Sequence, residues 1–306
     1  MIKIDLITGF LGSGKTTFIK KYANYLIGIG ENVCILENDF GAVNIDMMFL
    51  DNLNCGKEMV SGACDYDCHL RRFKTKLIQI AMMGYSRVIV EPSGIYDTDE
   101  FFDALYEEPL NTLYEINNIF FLYDVNISNL SYQSKYILTS EASVASVIIA
   151  TKKDITNKKI DLNYINNILK EFKCNRVFKE SDIIYSDELD FNKIINLGYK
   201  TYDHIKIPVN MDNNYDSMYL LDETITLKEL NNLKNKLFKD KKYGNIERIK
   251  GFIFENNTWN KINITKINNE TTPINDGQKV ILIVGENLNK ELILEEIKKG
   301  LLKWTK

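Results

Sequence analysis

The stretch GFLGSGKTT at residues 9–17 decides the fold of this chain. It fits the pattern G-x-x-x-x-G-K-[ST] at every fixed position, and it lies between the apolar run KIDLIT (3–8) and the helix-like run FIKKYANYLI (18–27). Glycines in such a loop let backbone N–H groups close around phosphate oxygens, and the N-terminus of the following helix adds a partial positive charge. The motif therefore predicts a phosphate-binding loop between a strand and a helix.

Each position of this loop has an expected role. Lys15 is expected to reach the β and γ phosphates of a nucleotide as a catalytic residue, and Thr16 is expected to bind Mg²⁺. A chance match by a glycine-rich turn is disfavoured because the required strand and helix flank the loop. The other loop residues that we expect to contact the nucleotide are Gly9, Gly12, Ser13, Gly14 and Thr17.

Four further apolar runs predict strands of the same sheet. They are NVCILE (32–37), RVIVEP (87–92), IFFLYDV (119–125) and SVIIAT (146–151). These runs are continuous rather than alternating, which is typical of strands buried on both faces, and helical stretches separate them. Their order predicts βαβ crossovers and an α/β domain with a doubly wound parallel sheet, the fold of P-loop NTPases.

From about residue 205 the pattern changes to that of a smaller α+β domain. The polar stretch NMDNNYD (210–216) is the predicted linker, and we predict domains over residues 1–205 and 206–306. The strand-like runs of the second domain are SMYLLDETI (217–225), IERIKGFIFE (246–255), TWNKINIT (258–265) and KVILIV (279–284), and its helix-like runs are TLKELNNLKNKLF (226–238) and NKELILEEIKKGLL (289–302).

The composition limits the possible partners. The 306 residues are 45% hydrophobic and 26% charged, as in globular proteins, and the net charge of -4 gives no electrostatic reason to expect nucleic-acid binding. No apolar run approaches the ~20 residues that span a bilayer, and five cysteines are too few for a disulfide scaffold. We therefore expect no nucleic-acid partner, no membrane partner and a cytoplasmic location.

The segment TKKD, residues 151–154, ends the fifth predicted strand, where a base-reading loop belongs in an open α/β sheet. It resembles the N-K-x-D guanine motif, with Thr151 in place of the usual Asn and with Lys152 at the lysine position. The carboxylate of Asp154 can accept hydrogen bonds from N1–H and the amino group of guanine, whereas N1 of adenine is an acceptor. The segment favours GTP over ATP, and a solvated charged loop is the alternative.

Two acidic loops follow the second and third predicted strands. ENDFG (37–41) and EPSG (91–94) would both leave the carboxyl ends of parallel strands, where such sheets bind ligands. Asp39 and Glu91 are expected to hold Mg²⁺ or its waters, and both are candidate catalytic residues. The backbone N–H of Gly94 is expected to approach the γ-phosphate and to sense its loss. Ordinary turn residues are the alternative for each loop taken alone.

These segments, in this order, resemble those of the CobW family of P-loop GTPases, which are relatives of the urease and hydrogenase nickel-loading GTPases. In the second domain, RIKG (248–251) is similar to the family's R-x-K-G strand, and VGENL (284–288) is similar to its closing strand and turn. The resemblance implies a GTPase that delivers a metal ion to a client protein, or assists assembly of a metal centre there. It also implies that the nucleotide state controls metal capture and release.

The family's metal motif, G-C-x-C-C, is replaced here by SGACDYDCH (61–69). In a helix, Cys64 and Cys68 would lie at i and i+4 on one face, close enough to share an ion. Two thiolates with His69 suit a borderline-soft ion such as Zn²⁺, Co²⁺ or Ni²⁺. The alternative is that the thiols are buried small apolar groups. The candidates for a fourth ligand are Asp65, Asp67, Cys55 and a client side chain.

Together the motifs predict a nucleotide-gated metal site. GTP and Mg²⁺ are expected to order the two acidic loops and so set the geometry of the cysteine segment between them, and hydrolysis to GDP is expected to loosen it. Intrinsic turnover is expected to be slow because these loops contain no arginine finger. A client, or the second protomer of a homodimer, is the candidate source of such a group.

Two other functions fit parts of the sequence. A nucleotide-gated chaperone that loads a cofactor such as a corrinoid into a client enzyme needs no tight metal binding, and the missing C-x-C-C favours it. A small-molecule kinase would use the same phosphate loop, but Asp154 and the second domain favour a GTPase.

Overall fold

The computed structural model of the chain describes residues 1–10, 12–38, 50, 53–60, 66–92, 97–207, 215–221, 225–266, 269–275 and 277–302. The chain divides into two compact units, residues 1–209 and 210–306. The sequence places a boundary nearby, after residue 205. Within the described ranges, no helix is long and apolar enough to cross a membrane.

The first unit is built around one sheet. Its strands are β1 (Ile2–Thr8), β2 (Val33–Asn38), β3 (Gly56–Val60), β4 (Arg87–Pro92), β5 (Tyr114–Asp124), β6 (Val147–Thr151) and β7 (Ile183–Tyr185). They lie in the order β3-β2-β4-β1-β5-β6-β7, and each neighbouring pair is parallel. This arrangement confirms the predicted doubly wound parallel sheet.

Helices cover both faces of this sheet, which explains why its strands are continuously apolar. Ile4 and Leu6 of β1 pack into one core, and Ile7 of the same strand packs with Phe18 into another. The helices are α1 (Lys15–Gly28), α2 (Tyr66–Ala81), α3 (Asp99–Leu105), α4 (Leu110–Leu113), α5 (Tyr132–Val144), α6 (Lys153–Thr156), α7 (Leu162–Glu171) and α8 (Phe191–Ile194), with a 3-10 turn at Glu180–Asp182.

No apolar run predicted β3 or β7, and both strands lie at an edge of the sheet. An edge strand is covered less completely than a central one, and in GKEMV of β3 only Val60 is buried. Strand β5 also begins earlier than predicted, at Tyr114. Its polar start is satisfied internally, because Asn117 and Asn118 each donate a side-chain hydrogen bond of 2.8 Å to the carbonyl oxygen of Ile195.

The second unit contains the antiparallel sheet expected of an α+β domain. Thr226 and Glu229 form a capping box at the start of its first helix. Its strands are β8 (Tyr215–Leu221), β9 (Asn245–Glu255), β10 (Thr258–Thr265), β11 (Asn269–Ile274) and β12 (Val280–Glu286), in the order β11-β10-β9-β12-β8. Its helices are α9 (Leu227–Lys239) and α10 (Lys290–Leu302), with a 3-10 turn at Lys241–Tyr243.

Candidate nucleotide and metal sites

The phosphate-loop motif follows the carboxyl end of the central strand β1. This strand has β4 on one side and β5 on the other, and the chain builds one half of the sheet before it crosses to the other. Such a change of direction opens a crevice at the carboxyl ends of the strands, where open α/β sheets bind ligands. The fold therefore places the loop where a nucleotide is expected.

Glycine is required at position 9 by both backbone conformation and space. Gly9 has a φ of 135°, and a Cβ atom there would lie 2.4 Å from the carbonyl oxygen of Leu122 and 2.7 Å from Oγ of Ser13. Gly12 and Gly14 also have positive φ values, of 78° and 97°. Helix α1 begins directly after Gly14 and has no acidic residue in its first turn. The positive end of the helix is therefore left to an anionic ligand.

Lys15 and Thr16 occupy the first turn of α1. The Nζ atom of Lys15 donates to the carbonyl oxygen of Gly9 at 2.7 Å, and the side chain is buried. The Oγ1 atom of Thr16 donates to Oε1 of Glu91, at the end of β4, at 3.1 Å. The structure thus brings together two of the predicted Mg²⁺ ligands, while Thr17 is exposed to solvent.

A second carboxylate, which was not predicted as a site residue, lies on the strand next to that of Glu91. Glu37 of β2 is the register partner of Glu91 in β4, and both residues are 5% exposed. Glu37 is the first residue of ENDFG, and its position as an acid near the end of a buried strand is the feature of the sequence that could have indicated it. The predicted site residues Asp39 and Gly94 lie outside the described residues.

The predicted base-reading segment is tied to the phosphate loop. Thr151 ends β6, and its Oγ1 atom donates to the carbonyl oxygen of Ser13 at 2.8 Å. Lys152 has a φ of 62°, and its Nζ atom lies 2.7 Å from Oδ2 of Asp124, a residue that the sequence analysis does not single out. Asp154 follows in the first turn of α6 and is exposed to solvent. The segment therefore lies at the same edge of the sheet as the loop.

A buried acid lies behind the phosphate loop. Glu141 of α5 is fully buried, and its Oε1 atom accepts a hydrogen bond from the N–H of Gly9 at 3.2 Å. Burial raises the pKa of this carboxyl to about 8, although the positive charge of Lys15 opposes that shift. Glu141 was not predicted as a site residue because no motif contains it. The only signal is an acid within a run of small and apolar residues, EASVAS.

The predicted transition-metal ligands begin a different helix. Helix α2 starts at Tyr66, so Cys68 and His69 lie in its first turn, whereas Cys64 lies outside the described residues. His69 is fully buried, and its Nδ1 atom is 3.0 Å from Oε1 of Glu100 in α3. The histidine is therefore oriented by a carboxylate from another helix.

Cys68 has different surroundings from those of its neighbour. It lines a surface groove with Met59 of β3 and with Arg72 and Lys76 of α2. Consecutive residues of a helix point about 100° apart, which separates the groove from the His69 side chain. Across the ranges that the structure describes, no three Cys, His, Asp or Glu side chains converge as a metal site. Shared ligation by Cys64, Cys68 and His69 stays a prediction.

The parallel sheet and the glycine-rich loop at its switch point define a P-loop nucleotide-binding fold. The family model described as CobW/HypB/UreG, nucleotide-binding domain, matches residues 3–179, and the chain belongs to this family. The resemblance drawn from the motifs is thereby confirmed.

Two curated relatives are zinc chaperones of Escherichia coli (strain K12). The zinc chaperone YjiA is 23% identical over 164 residues, which cover 51% of this chain and 51% of that protein. The zinc chaperone YeiR is 28% identical over 164 residues, which cover 51% of this chain and 48% of that protein. The chain thus spans about half the length of the curated relatives it matches. The crystal structure of Zn(II)-bound YjiA GTPase from E. coli aligns over 100% of this chain and 99% of that chain, with 17% identity and a TM-score of 0.41.

Proposed function

We propose that this protein is a GTP-binding and GTP-hydrolysing metallochaperone that delivers a metal ion to a client protein or assists assembly of its metal centre. The observation that carries the proposal is the Thr16–Glu91 hydrogen bond beside Lys15, in a chain of the CobW/HypB/UreG family. A phosphate-loop lysine and hydroxyl, with a carboxylate from a neighbouring strand, are the groups that nucleoside-triphosphate hydrolysis commonly uses.

Thr16 and Glu91 are the residues that would hold Mg²⁺. Their oxygen atoms are 3.1 Å apart, and hydroxyl and carboxylate oxygens are the hard ligands that this ion prefers. Bound Mg²⁺ would neutralise charge on the β and γ phosphates. Asp39 is the further proposed ligand. Lys15 would exchange the carbonyl oxygen of Gly9 for phosphate oxygens, which accept charged hydrogen bonds more strongly.

The base-reading segment supports GTP as the nucleotide. Asp154 presents an exposed carboxylate in the first turn of α6, and the hydroxyl of Thr151 links this segment to the phosphate loop. A single nucleotide could therefore place its base at Asp154 and its phosphates in the loop. The N–H of Gly94 is the proposed sensor of the γ-phosphate.

The proposed cargo site lies at the start of α2. Cys64, Cys68 and His69 are the proposed ligands, and zinc is the first candidate because the curated relatives are zinc chaperones; Co²⁺ and Ni²⁺ suit the same donors. The contact with Glu100 supports His69 as a ligand. The other ring nitrogen of a metal-bound imidazole almost always donates to a carboxylate, a backbone carbonyl or water, and Nδ1 of His69 has a carboxylate as its partner.

Nucleotide state is proposed to control this cargo site. The cysteine segment connects β3 to β4, and β4 carries Glu91 at its end. Loss of the γ-phosphate would change the surroundings of Glu91 and so the segment that precedes its strand. The client, or a second protomer, is the proposed source of the group that accelerates hydrolysis.

A cofactor-loading chaperone is the second candidate function. The replacement of the family's C-x-C-C by SGACDYDCH (61–69) favours it, because such a protein needs no tight metal binding. It would still bind GTP, and it would hold its client for a time that depends on the nucleotide.

Anaerobic titration of Zn²⁺, Co²⁺ and Ni²⁺ separates the two candidates. The titration compares the wild type with the Cys64→Ser/Cys68→Ser double variant. The control is Cys174→Ser, which alters a thiol after α7. GTP hydrolysis by each protein is the second readout. The metallochaperone predicts tight binding of one metal, lost in the double variant only, with hydrolysis of GTP and not ATP. Weak metal binding that is equal in the wild type and the double variant would contradict metal delivery. Absence of GTP hydrolysis would contradict the proposed GTPase activity.

A further inference from the structure

A fully buried carboxylate lies against the phosphate loop, and the proposed hydrolytic groups do not include it. Glu141 accepts on Oε1 from the N–H of Gly9 at 3.2 Å, and among the described residues its Oε2 atom has no hydrogen-bond partner. Burying an ionised carboxylate with an unsatisfied oxygen is costly unless a positive charge or a proton compensates it. Glu141 therefore needs one or the other.

Lys15 supplies the positive charge. Its Nζ atom donates to the carbonyl oxygen of Gly9 at 2.7 Å, and Glu141 accepts from the N–H of the same residue. The lysine and the glutamate thus hold the two backbone groups of one glycine. Burial is the largest influence on the pKa of the carboxyl and raises it, and the positive charge of Lys15 lowers it. One other charge acts on this pKa: the negative charge of Asp97, just before α3, raises it.

We propose that Glu141 is a positioning residue for Lys15, and that its carboxylate and the nucleotide phosphates are alternative partners for the charge of this lysine. Where its carboxyl is ionised in the nucleotide-free protein, the carboxylate balances the lysine while the lysine is folded onto Gly9. When the lysine turns to the phosphates, an ionised Glu141 takes up a proton from solvent. This inference rests on the proposed nucleotide binding, and it adds that binding at alkaline pH consumes a proton.

The direction of the pH effect follows from the two states. In the nucleotide-free protein the pKa of Glu141 is about 8. In the complex, Lys15 is neutralised by phosphates whose charge also repels a carboxylate, so the carboxyl stays protonated to higher pH. Binding then takes up no proton well below pH 8 and approaches one proton above it. Nucleotide affinity therefore falls by about tenfold between about pH 7 and about pH 9.

The test compares GDP affinity at these two pH values for the full chain and its Glu141→Gln variant, with Mg²⁺ present. Glutamine keeps an oxygen acceptor for the N–H of Gly9 but cannot ionise. We expect equal affinities at the lower pH and about tenfold tighter binding by the variant at the higher pH. Titration of GDP itself is common to both proteins and cancels in the ratio. A ratio that does not change with pH would overturn the inference.

The matched control is Glu171→Gln, which removes a partly exposed carboxylate paired with Lys135 at 2.9 Å. It is expected to follow the wild-type pH profile. A measurement on the wild type needs no variant: calorimetric titration with GDP at about pH 8, in buffers of different ionisation enthalpy, should show uptake of about half a proton. A value of zero contradicts the inference. A wild type that binds no GDP at any pH would instead refute the proposed function.

Discussion

The phosphate loop and the start of α2 are both predicted from short motifs, yet different parts of the chain build them. At the phosphate loop, hydrogen bonds join residues that are far apart in sequence, as between Thr16 and Glu91. At the start of α2, two sequence neighbours separate: Cys68 lines a surface groove, and His69 contacts the buried Glu100.

This difference shows what a motif can define. A phosphate site uses backbone N–H groups and a helix terminus, and both follow from local sequence. A metal site needs side chains from separate elements to converge, and their packing decides whether they do. Variants that affect one region and spare the other test this contrast.

The largest effect is expected from Lys15→Ala. Loss of the charged hydrogen bonds to the phosphates removes about 3 kcal/mol, so calorimetry should show GTP affinity reduced by about 100-fold. Zinc affinity in the absence of nucleotide should not change. Lys21→Ala, which removes an exposed lysine from the same helix, is the control and should bind GTP as the wild type does. Full GTP affinity in Lys15→Ala would contradict the proposal that Lys15 binds the nucleotide phosphates.

Asp154→Asn is expected to relax the choice of base. Loss of a charged acceptor for guanine costs about 2 kcal/mol, so competition between GDP and ADP should show preference for GDP reduced by about 30-fold. Asp203→Asn, at an exposed carboxylate before the end of the first unit, should keep the wild-type preference. Equal competition by ADP against the unmodified protein would show that the base assignment is wrong.

Glu100→Gln is expected to act on the proposed metal site alone. Weakening the partner of Nδ1 of His69 should reduce zinc affinity by about tenfold, because such partners orient the imidazole and raise its basicity. GDP affinity should stay the same. The control is Glu107→Gln, whose exposed carboxylate also pairs with α2, at Lys74. Unchanged zinc affinity in Glu100→Gln would contradict the proposed role of the Glu100 carboxylate in supporting His69 as a ligand.

Thr151→Val should have the smallest effect. The valine keeps the shape of the side chain but removes the hydrogen bond to the carbonyl oxygen of Ser13, worth about 1 kcal/mol. GDP affinity should therefore fall by about fivefold. Thr75→Val is matched to it, because this hydroxyl of α2 donates to the carbonyl oxygen of Arg71 at 2.8 Å, and it should leave GDP binding unchanged. Equal losses in both variants would indicate general destabilisation.

Much of the fold could be predicted from the sequence because the central strands are buried on both faces and therefore leave continuous apolar runs. The edge strand β3 leaves no such run, since only Val60 of its five residues is buried. The second unit was also predictable in outline, from its strand-like and helix-like runs, although its mostly exposed edge strand β11 leaves no apolar run.

The site was predictable only where motifs set it. Lys15, Thr16 and Glu91 follow from loops at strand ends, and two of them meet in the structure. Glu141 was not predictable because a single acid in a buried helix belongs to no motif, and its role depends on which loop packs against it. The partner of His69 lies on another helix, so spacing within the cysteine segment does not define its orientation.

Single-turnover zinc release shows whether GTP hydrolysis controls the proposed cargo site. The zinc-loaded protein with bound GTP would be mixed with Mg²⁺ and a chromogenic chelator, and phosphate release and zinc release would be followed together. Nucleotide control of the cargo predicts that zinc reaches the chelator at the rate of phosphate release, and that a non-hydrolysable GTP analogue retains the metal. Zinc release at the same rate with GTP, with the analogue and without nucleotide would contradict nucleotide control of the cargo.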